Sequence, residues 1–180
     1  MTQRVTRAGA RGAGAALLLA AAAVLAEPAA RTLDPVQPPR AGTDFTLPAL
    51  GGGSASLADF QGRYVLVNFW AVWCTPCRTE MPALERLAHL MEAEGLQVLG
   101  VHVGPSAAKA ATFVERTGLD FPIVIDEALA LDTWQVSGLP MTYLLDPAGN
   151  IIAQARGERD WDQPPMLKAL ERLMVPVAAQ

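Results

Sequence analysis

Tyr64 to Trp70 (Tyr-Val-Leu-Val-Asn-Phe-Trp) is a nearly continuous apolar run, and four residues later comes Cys74-Thr75-Pro76-Cys77. Such a run reads as a central strand covered on both faces. A helix is expected to begin at Thr75 or Pro76, since proline suits the first helical position and lacks only a donor that would be orphaned there. Cys77, Met81, Leu84, Ala88 and Met91 form its apolar stripe, with Gly95 as a C-terminal stop. Pro82 falls inside it and is expected to kink it. A buried strand that feeds a helix points to an α/β protein.

The rest of the pattern agrees. Phe45–Leu47 and Ser54–Leu57 flank Gly51-Gly52-Gly53 and predict a β-hairpin. Leu96–Val103 predicts a second buried strand, and Ser106 a cap for a helix ending at Thr117 before Gly118. A short strand over Phe121–Ile125 and a short helix near Glu127–Trp134 follow. Met141–Leu145 and Ile151–Ala155 are strands joined by the turn sequence Asp146-Pro147-Ala148-Gly149-Asn150. A last helix covers about Pro164–Leu173. The sum is one domain over residues 44–175, with a mixed central sheet flanked by helices and an N-terminal hairpin extension.

The 180-residue chain opens differently. Arg4, Arg7 and Arg11 precede an alanine-rich apolar stretch from Ala13 to Ala26. That is the layout of a signal peptide, with small-residue cleavage geometry at Val24-Leu25-Ala26. The stretch is shorter than the roughly 20 residues that comfortably span a bilayer. Residues 1–26 are therefore either a signal peptide or an N-terminal membrane anchor. Their removal would take away three arginines and no acid from a chain of formal net charge −4. Residues 27–43, with Pro28, Pro35, Pro38 and Pro39, read as an extended linker. An acidic chain with few aromatics and no basic run gives no sign of nucleic-acid binding.

Only two cysteines occur. They cannot make a disulfide-dense scaffold or a four-cysteine zinc site. The thiolate is the nucleophile in disulfide exchange, and a helix N-terminus stabilises it through free N–H groups and the dipole. Cys74 is expected as the exposed attacker, and Cys77, one turn inside, as the buried resolving thiol. A purely structural bridge over two intervening residues would restrain the unfolded chain little. Arg78 follows Cys77, so the Cys-x-x-Cys-His haem-attachment pattern is absent. Nothing in the pattern requires a metal or an organic cofactor. Trp70 and His102 read as core residues, and His89 as a helix-flank residue with no metal-ligand pattern around it.

Val67-Asn68-Phe69-Trp70-Ala71-Val72-Trp73-Cys74-Thr75-Pro76-Cys77, then Glu80-Met81-Pro82, then Gly138-Leu139-Pro140-Met141-Thr142 resembles the TlpA/ResA branch of extracytoplasmic thioredoxins. The resemblance covers about Asp44 to Leu173 and implies a thioredoxin-like fold. It implies that Pro140 is a cis-proline facing the disulfide; an ordinary strand-start proline is the alternative. Trp73, Thr75, Pro76, Leu139 and Met141 would form the substrate-binding surface around the sulfurs. Asn68 stands where ordinary thioredoxins often carry a buried aspartate, and it cannot take a proton. Glu80 resembles the acid that tunes the site in this branch; the alternative is a solvated helix carboxylate. Burial near the sulfurs would raise its pKa and suit it to proton transfer.

The implied reaction is reduction of disulfides in partner proteins outside the cytoplasm, with a membrane-embedded thiol donor to restore the dithiol. Apocytochrome c maturation is one destination for such chemistry. An oxidase or isomerase would use the same residues, and a non-catalytic binding module would keep only the fold. A peroxidase would need a Pro-x-x-x-Thr-type cysteine setting, which Phe69–Cys74 does not provide.

Overall fold

The computed structural model describes Met1, residues 31–128 and residues 133–174. The core is a six-stranded sheet in the order β1-β8-β7-β4-β5-β6. The strands are β1 (Asp34–Ala41), β4 (Tyr64–Trp70), β5 (Leu96–Val103), β6 (Ile123–Asp126), β7 (Met141–Leu145) and β8 (Asn150–Arg156). β4, β5 and β6 run parallel, while β7, β8 and β1 are added antiparallel. β2 (Thr46–Pro48) and β3 (Ser54–Ser56) form the separate N-terminal hairpin. The Leu50 N–H donates to the Ile123 carbonyl at 2.9 Å, which ties the hairpin to the β6 edge.

β4 is central because it can be buried on both faces: Val65 to Trp70 are all buried. The helix α1 (Thr75–Met91) follows, with Cys77, Glu80, Met81, Ala83, Leu84, Leu87 and Met91 turned inward. Leu87 joins the stripe, and Ala88 is half-buried against the same core. The helix runs through Pro82, whose side chain lies on the exposed face. In α2 (Ala107–Thr117), Ser106 occupies the N-cap but makes no side-chain cap bond. Its φ of −129° and ψ of 31° lie outside the extended region from which cap side chains reach the helix. Gly118 ends α2 in the left-handed conformation, φ +65°, and its N–H returns to the Val114 carbonyl. The last helix is α3 (Pro164–Leu173).

The linker expected over residues 27–43 is corrected from Asp34 onward. Asp34–Ala41 is an edge strand on β8, with the register shifted between Pro35 and Arg40 and a cis Gln37–Pro38 bond. Proline is tolerated there because an edge strand leaves one side of its backbone unpaired. The strand expected at Phe121 begins instead at Ile123; Pro122 has no N–H to give, although its carbonyl accepts from Gly100. Half of the helix expected near Glu127–Trp134, residues 129–132, lies outside those described, as does the segment read as a signal or anchor. Among the described residues, no helix is long and apolar enough to cross a membrane.

Candidate active site

β4 ends at Trp70, and a tight turn closed by the Cys74 N–H on the Ala71 carbonyl (3.0 Å) delivers Cys74 to the N-cap of α1. Cys74 and Cys77 form a disulfide with Cα atoms 5.3 Å apart. The Cys77 N–H points at the Cys74 sulfur from 3.3 Å, the helix-terminal donor that a thiolate at Cys74 would use. Cys77 has no exposure and Cys74 only 6 %, so Cys74 is less open than expected. Its bond to a wholly buried partner turns the sulfur inward. Trp73 beside it is 67 % exposed, and Thr75 and Pro76 are exposed too.

The Leu139–Pro140 peptide bond is cis, and Pro140 is buried. Met141 pairs with Phe69, which brings Pro140 to the end of β4 from which the cysteine turn departs. Leu139 is half-buried. Met141, expected on the substrate surface, has its side chain in the core: alternation along β7 turns it inward, and it is 2 % exposed.

Glu80 lies one turn beyond Cys77 on the same helix face and is 2 % exposed. The Asn68 amide donates to Glu80 Oε1 at 2.9 Å and to Thr142 Oγ1 at 2.9 Å. Glu80 Oε2 accepts the Arg159 backbone N–H and the Trp161 indole N–H, each at 3.0 Å. Burial pushes the carboxyl up to about 7, against the lowering effect of the Trp161, Asn68 and Arg159 hydrogen bonds. The solvated alternative is thereby excluded. Arg159 fixes the loop that supplies these donors: its guanidinium donates to the carbonyls of Thr32, Arg156, Gly157 and Glu158.

Trp161 and Arg159 escaped the sequence reading because they sit in an aperiodic loop before α3. Thr142 closes the Gly138–Thr142 segment that carries the resemblance, and in the structure it pairs directly with Asn68 across β4 and β7. His102 is a core residue with a positioning contact: its Nε2 accepts the Val72 N–H at 3.3 Å, steadying the cysteine turn. Burial lowers its pKa. His89 has partners the sequence did not reveal. Its Nε2 lies 2.8 Å from Glu85, whose other oxygen accepts the Asp120 N–H.

A mixed sheet with a Cys-x-x-Cys disulfide at the start of the helix after its central strand, and a cis-proline opening the neighbouring strand, defines a thioredoxin-like protein. Residues 39–154 match the AhpC/TSA family model, and the chain belongs to that family. It is 40% identical over 109 residues to a thiol-disulfide oxidoreductase ResA from Geobacillus kaustophilus. That alignment takes in 60% of this chain and 63% of the relative, less than two thirds of the relative's length. Among solved structures, the thioredoxin domain of a thiol-disulfide oxidoreductase from Bacteroides vulgatus superposes with TM-score 0.66 at 26% identity, covering 75% of this chain and 96% of that one. A secreted thiol-disulfide isomerase from Corynebacterium glutamicum gives TM-score 0.61 at 27% identity, covering 74% and 83%.

Proposed function

We propose that this chain is an extracytoplasmic thiol–disulfide oxidoreductase that reduces disulfides in partner proteins. The observation that carries this reading is the Cys74–Cys77 disulfide at the start of α1, with buried Glu80 one turn below Cys77. In the reduced protein, the Cys74 thiolate attacks one sulfur of a substrate disulfide. The substrate S–S bond breaks, and its far sulfur leaves as a thiolate that takes a proton. Cys77 passes its proton to the Glu80 carboxylate and attacks the Cys74 sulfur. The second substrate sulfur leaves as a thiolate that takes the proton held by Glu80, and two electrons have moved from the dithiol to the substrate. The cis-proline withholds a backbone N–H beside the sulfurs, and Trp73, Thr75, Pro76 and Leu139 frame the approach.

The sequence from Arg4 to Ala26 supports export, by signal peptide or anchor, and the Corynebacterium glutamicum structure is described as a secreted protein. An oxidising compartment cannot restore the dithiol, so a membrane-embedded thiol donor is part of the proposal. Apocytochrome c is one substrate this reading admits. The isomerase neighbour favours a second reading, shuffling of disulfides by the same cysteines. Insulin reduction in the presence of dithiothreitol tests the activity: the protein is expected to hasten precipitation of the freed B chain. A rate equal to dithiothreitol alone would leave a binding module.

A further inference from the structure

Beside the cysteine turn lies a groove of about 670 Å³ between the start of α1 and the outer face of α2. Trp73 and Val72 wall one side, Arg78 stands at the α1 end, and Lys109, Phe113 and Arg116 come from α2. Their spacing of four and three residues puts the α2 side chains on one helix face. Gly104 turns the β5–α2 loop beside the Trp73 indole at φ +94°, a left-handed conformation that favours glycine.

Three features make this a recognition surface. First, its charge has one sign: no aspartate or glutamate lines it among the described residues, in a chain whose formal net charge is −4. Second, the cations are uncommitted. Among the described residues, the ion pairs are Arg86–Asp162 and His89–Glu85, and neither involves the groove. Arg78 reaches only the Thr75 hydroxyl, at 3.5 Å. Third, the cations surround the exposed Trp73 and half-buried Phe113, an apolar floor that a hydrated inorganic anion would not use. Lys109 to Arg116 spans about 10 Å of helix, the reach of about three residues of extended chain.

We propose that this groove selects disulfide-bearing peptide segments that carry aspartate or glutamate within about three residues of the cysteine attacked by Cys74. A groove lined by charges of one sign concentrates the opposite charge and speeds encounter. Arg78 and Arg116 receive a carboxylate through their planar donor pairs, and Trp73 and Phe113 cover the intervening side chain. The inference rests on the exchange reading and adds the substrate class.

Two peptides test it, each with one intramolecular disulfide and alike except for two flanking glutamates or two flanking glutamines. Second-order rate constants are measured with the reduced full chain at low and high ionic strength. The glutamate peptide is expected to react about tenfold faster at low salt, the advantage falling towards one at high salt. In K109E/R116E, at two exposed positions, the ratio should drop to one or invert. Equal wild-type rates for both peptides, or a preference that survives K109E/R116E, would overturn the groove while leaving the exchange reading intact. The wild-type salt dependence decides the matter even if the variant folds poorly. A wild type inert towards both peptides would overturn the exchange reading, and the groove with it.

Discussion

Cys77→Ser is expected to stop exchange halfway and accumulate mixed disulfides through Cys74, whereas Cys74→Ser abolishes exchange. The asymmetry follows from position. Cys74 occupies the N-cap, where the Cys77 N–H already points at its sulfur from 3.3 Å. That donor and the helix dipole favour a thiolate at Cys74. Cys77 has no exposed surface and stands one helical turn from the buried Glu80 carboxyl, so its thiolate is disfavoured and substrate cannot reach it. Alkylation of the reduced protein below neutral pH should therefore label Cys74 first. Mass spectrometry of the trapped Cys77→Ser species should find the partner on Cys74. Labelling of Cys77 before Cys74 would reverse the two roles.

Glu80→Gln has the second-largest expected effect, and it reads out twice. The carboxyl rises from 4.5 to about 7 in the folded chain, so between those values the folded state holds a proton that the unfolded state has released. The contribution of Glu80 to stability is then fully present below about pH 4.5 and is lost as pH rises to about 7, about 3 kcal/mol at 1.36 kcal/mol per pKa unit. Glutamine removes that slope. The Asn68 Oδ1 has no hydrogen-bond partner, so turning that amide over breaks no bond on its side and exchanges one unpartnered group for another. If the Asn68 amide turns over, Oδ1 accepts from the amide of the introduced glutamine and from the Thr142 hydroxyl. The oxygen of that glutamine then keeps the Arg159 and Trp161 donors. Chemical unfolding of the oxidised proteins at pH 4.5 and 7.5 measures the difference.

The second readout is thiolate absorbance in the reduced protein. An ionised Glu80 one turn from Cys77 raises the thiol pKa values, and the groups titrate as a coupled system. Glu80→Gln should lower those values, flatten the pH dependence of exchange and slow turnover, because Cys77 loses its proton acceptor. Superimposable titrations of wild type and variant would show that Glu80 is confined to holding the fold, with water carrying the proton.

Much of the architecture was legible because period and punctuation were strong. β4, β5 and α1 follow directly from unbroken apolar runs, from helical spacing and from Pro76, although α1 stops at Met91, with Glu92 as its C-cap, before the expected Gly95. The β7–β8 hairpin is written in Asp146 to Asn150. β1 was hidden because its prolines imitate a linker, and only its place at the sheet edge makes them acceptable. In the site, Cys74 and Cys77 could be named from spacing, whereas the role of Glu80 and the cis bond before Pro140 came only from the resemblance. The burial that lifts Glu80 could not be read. It depends on Trp161 and the Arg159 backbone, 81 and 79 residues away, in a loop whose course is set by long-range contacts.

The reduction potential of the Cys74–Cys77 pair, from equilibration of the full chain with thiol buffers, tests the central claim most directly. A neighbouring carboxylate that disfavours thiolates disfavours the reduced form that depends on them, so the dithiol should be a good electron donor. The potential is expected near that of thioredoxin, about −270 mV. A value near about −120 mV would mark an oxidant and contradict the account, as would a pair that does not exchange with the buffer at all.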